Sequence, residues 1–157
     1  MMNKKGFTLI ELLIVIIILG ALASLITGNF FTSLKKGRDT KRKGDLEQIQ
    51  RTLEMYYEDK RTYPLTAELA FGSALTDSVS RKVYMQRVPN DPISGKNYQY
   101  LSADGTSYKI FACLENVLQI LPYISTESTL TCGNCKAPDG TTDTPCIWAV
   151  SSTNISP

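Results

Sequence analysis

The first third of the chain predicts one long helix made of two different halves. Residues 12–34 contain no charged side chain, and this run of 23 residues exceeds the ~20 apolar residues that cross a bilayer as a helix. Residues 45–60 place apolar side chains at steps of three and four, which predicts a single apolar stripe. The stripe consists of Leu46, Ile49, Leu53 and Tyr56 or Tyr57. A helix over residues 7–59 would be about 80 Å long at ~1.5 Å per residue.

The two halves of this helix require different surroundings. The first half is apolar on every side, so we expect lipid or other helices to cover it. The second half has one apolar face, on which a small head can pack. We therefore divide the chain into a hydrophobic helix at 7–34 for a membrane or a helix bundle, an amphipathic helix at 35–60 and a globular head at 61–157.

The head predicts a small antiparallel sheet. Tyr63-Pro64 ends the helix, because the residue before a proline avoids helical backbone angles, and residues 66–75 are compatible with one short helix. Aromatic and aliphatic side chains then alternate with polar ones on both sides of a turn at Asp104-Gly105, which predicts a hairpin packed on the helix stripe. The apolar members are Tyr98, Tyr100, Tyr108, Ile110 and Ala112. Residues 147–150 predict a final strand that includes Trp148 as a core or sheet-face aromatic, so the expected fold class is α+β.

Composition excludes several classes of enzyme. At 157 residues the chain has room for about one domain, and it contains no histidine. Catalytic Ser-His-Asp and Cys-His sites and histidine-containing metal sites are therefore excluded. The formal charge of +2 is too small to indicate a nucleic-acid partner by itself. We expect no enzymatic activity and no cofactor.

The densest charge is a basic block at residues 35–44, KKGRDTKRKG, with six basic groups and one acid. Such a block is typically a solvated helix surface. It could also be attracted to anionic lipid headgroups or to DNA. No aromatic side chain is interleaved with it, so a stacking nucleic-acid site is not indicated.

Four cysteines lie in the last 45 residues, Cys113, Cys132, Cys135 and Cys146. An even number in a small domain behind a membrane segment indicates disulfides formed in an oxidising, extracytoplasmic compartment. Three pairings are possible. Because Cys132 and Cys135 are only three residues apart, we favour Cys113 with one of these two and Cys146 with the other. A redox-active Cys132–Cys135 pair lacks a following helix to lower its thiol pKa, and a four-thiolate zinc site lacks the usual second close pair.

One acidic residue, Glu11, interrupts the apolar start of the chain. A carboxylate in a membrane span costs roughly 2.5–3.5 kcal/mol on insertion scales, and an uncleaved signal anchor gains nothing from it. Cleavage between Gly6 and Phe7 would create a cationic partner, the new α-amino group of Phe7. Between neighbouring helices, Glu11 of one chain could meet the Phe7 amine of the next, and we hypothesise that this pairing sets the stagger between subunits.

The segment Lys4-Lys5-Gly6-Phe7-Thr8-Leu9-Ile10-Glu11 resembles the prepilin-peptidase site of type IV pilins and of type II secretion pseudopilins. The resemblance implies that an inner-membrane peptidase removes a leader of residues 1–6 by cutting after Gly6, and N-methylates Phe7. It also implies an assembly role for Glu11. The precursor is then expected to cross the inner membrane once, with its N-terminus in the cytoplasm, and the assembled chain to lie in an extracellular or periplasmic filament. The basic block at 35–44, denser than the leader, opposes this orientation under the positive-inside rule.

Sequence motifs in the head narrow the resemblance to fewer members of this family. Tyr63-Pro64, residues 88–92 (VPNDP), Gly95 and residues 98–100 (YQY) are similar to the major, G-type pseudopilin of type II secretion and to compact-head bacterial pilins. Beyond Cys113 no family-wide pattern continues.

Two features of that family are weaker in this chain. G-type pseudopilins usually hold calcium near the C-terminus, where this chain offers only Asp139 and Asp143, too few acids for a cage of about six to eight oxygens. We therefore expect disulfides rather than a metal to stabilise the tail. In pilin filaments part of the helix is often melted between a glycine resembling Gly20 and a proline. Gly28 stands where that proline often occurs, so Gly20 and Gly28 are the candidate positions of helix flexibility.

These observations predict a structural subunit of a type IV pilus-type filament, inserted as a precursor and polymerised through its N-terminal helix. The expected partners are further copies in a helical homopolymer, prepilin peptidase, the membrane, and the inner-membrane assembly platform and motor of a pilus or secretion machine. The alternative is the major G-type pseudopilin of a type II secretion system, which the head favours, whereas the cysteine-rich tail favours a surface pilus. Other hypotheses are a membrane-anchored thiol-redox protein and an anchored binding domain that never polymerises.

Overall fold

The computed structural model describes residues 6–116, 134–136, 143–145 and 147–153, with the backbone alone for residues 26–29, 134–136 and 143–145. The chain divides into two compact units, Met1–Lys35 and Lys36–Pro157. Helix α1 (Leu9–Lys60) contributes to both. All other regular elements among the described residues are strands, and they belong to the second unit.

The first unit consists of the apolar half of α1. The helix begins at Leu9, two residues after the predicted start, because Thr8 occupies the N-terminal capping position. Every side chain that the structure describes in this unit is exposed. The apolar ones include Leu9, 80% exposed, and Leu25, 73% exposed.

In the second unit, α1 buries the predicted stripe. Its three aliphatic members, at most 1% exposed, are Leu46, Ile49 and Leu53. The helix ends at Lys60, as expected for a chain that reaches Tyr63-Pro64 three residues later. Arg61 adopts a left-handed φ of 58° and donates its N–H to the Tyr57 carbonyl at 2.7 Å, which closes the last turn.

The described residues of the head contain seven short strands in three antiparallel sheets. The strands are β1 (Leu75–Thr76), β2 (Val83–Met85), β3 (Gln99–Leu101), β4 (Lys109–Cys113), β5 (Asn134–Lys136), β6 (Asp143–Pro145) and β7 (Ile147–Ser151). β1 pairs with β2, β5 pairs with β6, and the largest sheet has the order β3-β4-β7. Its register places Tyr100 opposite Ile110, and Ala112 opposite Trp148.

The predicted hairpin is confirmed. All five of its apolar members are buried in one cluster with the α1 stripe, which explains the alternation in the sequence. The predicted final strand is also confirmed as β7, and Trp148 is a half-buried aromatic on its face that packs against the same cluster. The helix and the β3-β4-β7 sheet therefore share one core.

The second face of this sheet is more apolar than alternation alone indicated. The alternation along the hairpin leaves Phe111 on the face opposite Ile110 and Ala112, where polar side chains are expected, yet Phe111 is 0% exposed. It forms a separate buried cluster with Ile147, Ala149 and the partly buried Leu101. Strand β4 thus buries side chains on both faces, a pattern that period-two reasoning on a half-exposed strand does not anticipate.

The prediction of a short helix at residues 66–75 is wrong. This segment forms turns and then enters β1. Gly72 adopts a φ of +80°, donates its N–H to the Val88 carbonyl at 2.8 Å, and is followed by Ser73, whose carbonyl accepts the Val88 N–H at 2.7 Å. These strand-like bonds to a distant segment replace the local bonds of a helix.

Several predictions for the tail fall outside the described residues. Cys132, Cys146 and Asp139 are among them, and for Cys135 and Asp143 the structure describes the backbone only. The calcium candidates and the disulfide connectivity therefore stay predictions.

Candidate assembly site and the charge cluster of the head

The peptide bond at the predicted cut lies outside the helix. Residues Gly6, Phe7 and Thr8 precede α1 and have no regular secondary structure. The Phe7 side chain is 82% exposed, and a Cβ built on Gly6 would meet no other atom within 4 Å. An exposed segment without regular secondary structure is accessible to a peptidase.

Thr8 and Glu11 form a reciprocal cap at the start of α1. Thr8 donates both its backbone N–H and its hydroxyl to Oε2 of Glu11, at 2.8 and 2.7 Å. The Glu11 N–H in turn donates a hydrogen bond to Oγ1 of Thr8 at 3.3 Å. This is the capping-box arrangement of a threonine followed three residues later by a glutamate. The carboxylate therefore has partners within its own chain, and it lies where the partial positive charge of a helix N-terminus favours an anion.

The apolar half of α1 has no cover among the described residues. From Leu9 to Leu25 and from Phe30 to Leu34, every side chain is exposed. No single unbroken helix in the described part of the chain is both long and apolar enough to cross a membrane. The segments Leu9–Leu25 and Phe30–Lys60 meet that requirement only as a bent pair, on length and composition alone.

A buried group of ion pairs, here called the charge cluster (Arg38, Asp39, Arg42, Asp91 and Glu115), lies in the second unit. Arg42 is 0% exposed and donates to both carboxylate oxygens of Asp91, at 2.7 and 3.0 Å. Its Nη1 also donates to Asp39 at 2.8 Å and to Glu115 at 2.7 Å. Arg38 donates to both oxygens of Glu115, at 2.8 and 2.6 Å.

Backbone groups complete the charge cluster. Asp39 accepts the N–H groups of Glu115 and Asn116 at 2.9 and 2.8 Å, and Asp91 accepts that of Ile93 at 2.8 Å. The cluster thus fastens three segments together: the middle of α1, the loop after Val88-Pro89, and the chain that leaves β4. Buried charges are tolerated when they are paired and hydrogen-bonded in this way.

The pairing shifts the pKa of Glu115 and of Arg42 in the charge cluster. The hydrogen bonds from Arg38 are the largest cause that lowers the pKa of Glu115 to about 2; burial opposes this and Arg42 adds to it. Burial alone would lower the pKa of Arg42, but hydrogen bonds to Asp91, Glu115 and Asp39 outweigh it and raise that pKa. Glu115 and Arg42 are therefore held in their ionised forms by their neighbours.

The interpretation of residues 35–44 as a solvated surface is wrong for part of that block. Lys35, Lys36 and Lys41 are exposed, whereas Asp39 and Arg42 are buried. The partners that bury Arg42 stand 49 and 73 residues further along the chain. Sequence reasoning therefore missed the charge cluster, although the aspartate of the VPNDP segment was the available signal.

Phenol–carboxylate hydrogen bonds also tie the head to α1. Tyr98 donates its hydroxyl to Asp45 at 2.8 Å. Glu54 accepts the hydroxyls of Tyr63 at 2.9 Å and of Tyr108 at 3.1 Å. The tyrosines predicted as packing residues thus also satisfy carboxylates of the helix.

The remaining predicted site residues are placed as follows. Gly20 and Gly28 lie inside α1, and their flexibility stays a prediction. Cys113, at the end of β4, forms a disulfide, and no free cysteine occurs in the part of the chain that the structure describes. Within those same residues no group of three or more His, Cys, Asp or Glu side chains is arranged to hold a metal ion.

Two family models match most of the chain. One, described as "Prokaryotic N-terminal methylation motif", matches residues 1–27, and the other, "Type II secretion system (T2SS), protein G", matches residues 29–113. The chain belongs to the type II secretion system protein G family. No solved structure matches it.

Relatives named "Type II secretion system core protein G" agree with this assignment. The chain is 35% identical to the one of Vibrio cholerae over 108 residues, which cover 65% of this chain and 73% of the relative. It is 36% identical to that of Klebsiella pneumoniae over 111 residues, or 65% and 77% of the two chains. It is 32% identical to that of Escherichia coli K12 over 97 residues, or 57% and 67%.

The family assignment confirms the predicted resemblance to pilins and pseudopilins. It supports the G-type pseudopilin, which the sequence placed second, better than the surface pilus that it placed first. The family is one of structural subunits, which points to a non-enzymatic role, and its N-terminal motif points to a membrane-anchored precursor.

Proposed function

We propose that this chain is the major pseudopilin of a type II secretion system. It is inserted as a precursor, loses a leader of residues 1–6 through a cut after Gly6, is N-methylated at Phe7, and polymerises through residues 7–34. Residues 35–60 carry the head, residues 61–157, on the surface of the filament. The proposal rests on the protein G match over residues 29–113.

The exposed apolar half of α1 supports polymerisation. Its side chains have no cover among the described residues of the same chain, and a contiguous apolar surface of this length is stable only in lipid or against other proteins. In the precursor we assign the bilayer to this role, and in the filament the same segments of neighbouring copies. The two environments succeed one another without an aqueous stage.

Glu11 has a different partner at each stage of this proposal. Before cleavage, its carboxylate is held by Thr8 of its own chain. Cleavage places a new amine at Phe7, and in the filament the Glu11 of one copy pairs with the Phe7 amine of the next. In an apolar environment this ion pair is strong, and it fixes the axial offset between copies.

In the proposed membrane orientation, the leader lies in the cytoplasm and the head outside it, where the disulfide of Cys113 can persist. Prepilin peptidase processes the chain, and the inner-membrane platform and motor of the secretion system add it to the filament. The chain itself has no catalytic part in these steps.

Replacement of Glu11 tests the proposal. In a host that lacks the native copy, Glu11→Gln should be cleaved to a chain beginning at Phe7, as measured by mass, yet should form no filaments that can be sheared and immunoblotted. The control is Glu47→Gln, which removes an exposed acid of the same helix that lies 3.6 Å from Arg51 and should assemble normally. Normal filaments from Glu11→Gln, or a mature chain that begins at Met1, would contradict the proposal.

A surface pilus is the second candidate, favoured by the disulfide of Cys113, since exposed extracellular subunits commonly rely on such bonds. The two candidates differ in what fails when the gene is deleted. Loss of exoprotein release with no change in surface fibres supports the pseudopilin, whereas loss of surface fibres with normal exoprotein release supports the pilus.

A further inference from the structure

The start of α1 separates two segments with different tasks. Residues from Leu9 onward are helical, and the first bond from this segment runs from the Leu12 N–H to the Thr8 carbonyl at 3.4 Å. Gly6 and Phe7, the pair that flanks the proposed cut, remain outside the helix. The boundary lies at Thr8, where the capping box is formed.

The position of this boundary matters to a peptidase. A peptide bond inside a helix has its N–H and carbonyl engaged and its flanking side chains turned around the axis. An enzyme reaches a bond more readily when the backbone is exposed and not hydrogen-bonded. Without a cap, a run of apolar residues specifies no single helix start, because the first N–H groups then have no partner at any particular residue.

We infer that Thr8 is a positioning residue for removal of the leader. By its bonds with Glu11 it fixes the helix start at Leu9 and keeps the Gly6–Phe7 peptide bond outside the helix, where the peptidase can reach it. The inference deepens the proposed function and rests on it for the location of the cut. The match of residues 1–27 to the N-terminal methylation motif points independently to an enzyme that acts on this segment.

The step itself is a hydrolysis. The bond between the Gly6 carbonyl carbon and the Phe7 nitrogen breaks, the hydroxyl of water goes to the carbon, and its hydrogen goes to the nitrogen. The products are a leader that ends in the Gly6 carboxylate and a chain that begins with the Phe7 amine. Thr8 takes no part in bond breaking. Its hydroxyl acts through the conformation of the two residues before it.

The experiment compares initial rates of leader release from the full-length precursor in detergent, with purified prepilin peptidase and mass spectrometry as the readout. Thr8→Val keeps the shape of the side chain and removes its hydroxyl, and should slow release by about two- to thirtyfold, the range expected for loss of one N-cap. Thr8→Asn is a different shape but an equally good cap, and should be cleaved within about twofold of the wild-type rate.

One further variant serves as a control. Thr40→Val removes a threonine hydroxyl from inside α1, where it donates to the Lys36 carbonyl at 2.9 Å, and should leave the rate unchanged.

The possible results distinguish a failure of the role of Thr8 from a failure of the proposed function. Wild-type cleavage at Gly6–Phe7 with an equal rate for Thr8→Val would overturn the role of Thr8 and leave the proposed function standing. An asparagine variant as slow as the valine variant would also overturn it, because the peptidase would then be reading threonine itself. If the wild-type chain were not cleaved at this bond, both the role of Thr8 and the proposed function would be overturned.

Discussion

Replacement of Arg42 by alanine should destabilise the head strongly. The change removes four hydrogen bonds, each between charged groups, from a position that is 0% exposed, and leaves the side chains of Asp39 and Asp91, 3% and 2% exposed, without their cation. Breaking a buried ion pair by removing one partner costs about 3–5 kcal/mol. For a head of this size that corresponds to a fall in Tm of roughly 10–20 °C.

Thermal unfolding of the full chain in detergent, followed by near-ultraviolet circular dichroism, measures this effect. Arg51→Ala is the matched control, because Arg51 is on the same helix but is 77% exposed and lies 3.6 Å from Glu47, a pair expected to contribute less than about 1 kcal/mol. Arg42→Lys should fall between the two, since an ammonium cannot bridge both oxygens of Asp91 as a guanidinium does. A Tm for Arg42→Ala within about 3 °C of the wild type, or equal to that of Arg51→Ala, would refute the reasoning.

Two further predictions concern pH and backbone strain. The pKa of Glu115 lies at about 2 instead of 4.5 in the folded chain, so its contribution to the free energy of unfolding is full above pH 4.5 and is lost as the pH falls towards 2. Urea titrations at pH 6 and pH 3 should show this loss, and Glu115→Gln should reduce it; an equal loss in that variant would assign the effect to other groups. Gly105→Ala should destabilise the head by about 1–3 kcal/mol, because φ is +73° and the new Cβ would overlap Oγ1 of Thr62. Gly95→Ala has a similar φ of +81° but open space around it, so its smaller loss in urea unfolding should isolate the steric part, and equal losses would contradict that part.

The elements that local patterning dictates were predictable. The α1 stripe and the β3–β4 hairpin follow from apolar spacing, because each buries one face against the other. The turns at residues 66–75, where a short helix was expected, were not predictable, since Gly72 and Ser73 exchange backbone hydrogen bonds with Val88, and such distant pairing overrides local propensity.

The charge cluster lay beyond the reach of sequence patterning for a related reason. A basic block with no apolar face is typical of a solvent-exposed helix surface. Only in the folded chain do Asp91 and Glu115 come into contact with Arg42. The capping box was half visible, since Thr8 and Glu11 have the right spacing, but the acid was first explained by a partner on another chain. Its hydrogen bonds from Thr8 give the carboxylate a partner within its own chain.

The uncovered apolar half of α1 has a consequence for how a filament of this chain can grow. If that segment stays in lipid until it joins other copies, the free subunit has no soluble form, and its supply depends on lateral diffusion in two dimensions. Growth is then confined to the base of the fibre, where it touches the bilayer. The rate of elongation should scale with the number of subunits per unit area of membrane and be insensitive to subunits added from solution.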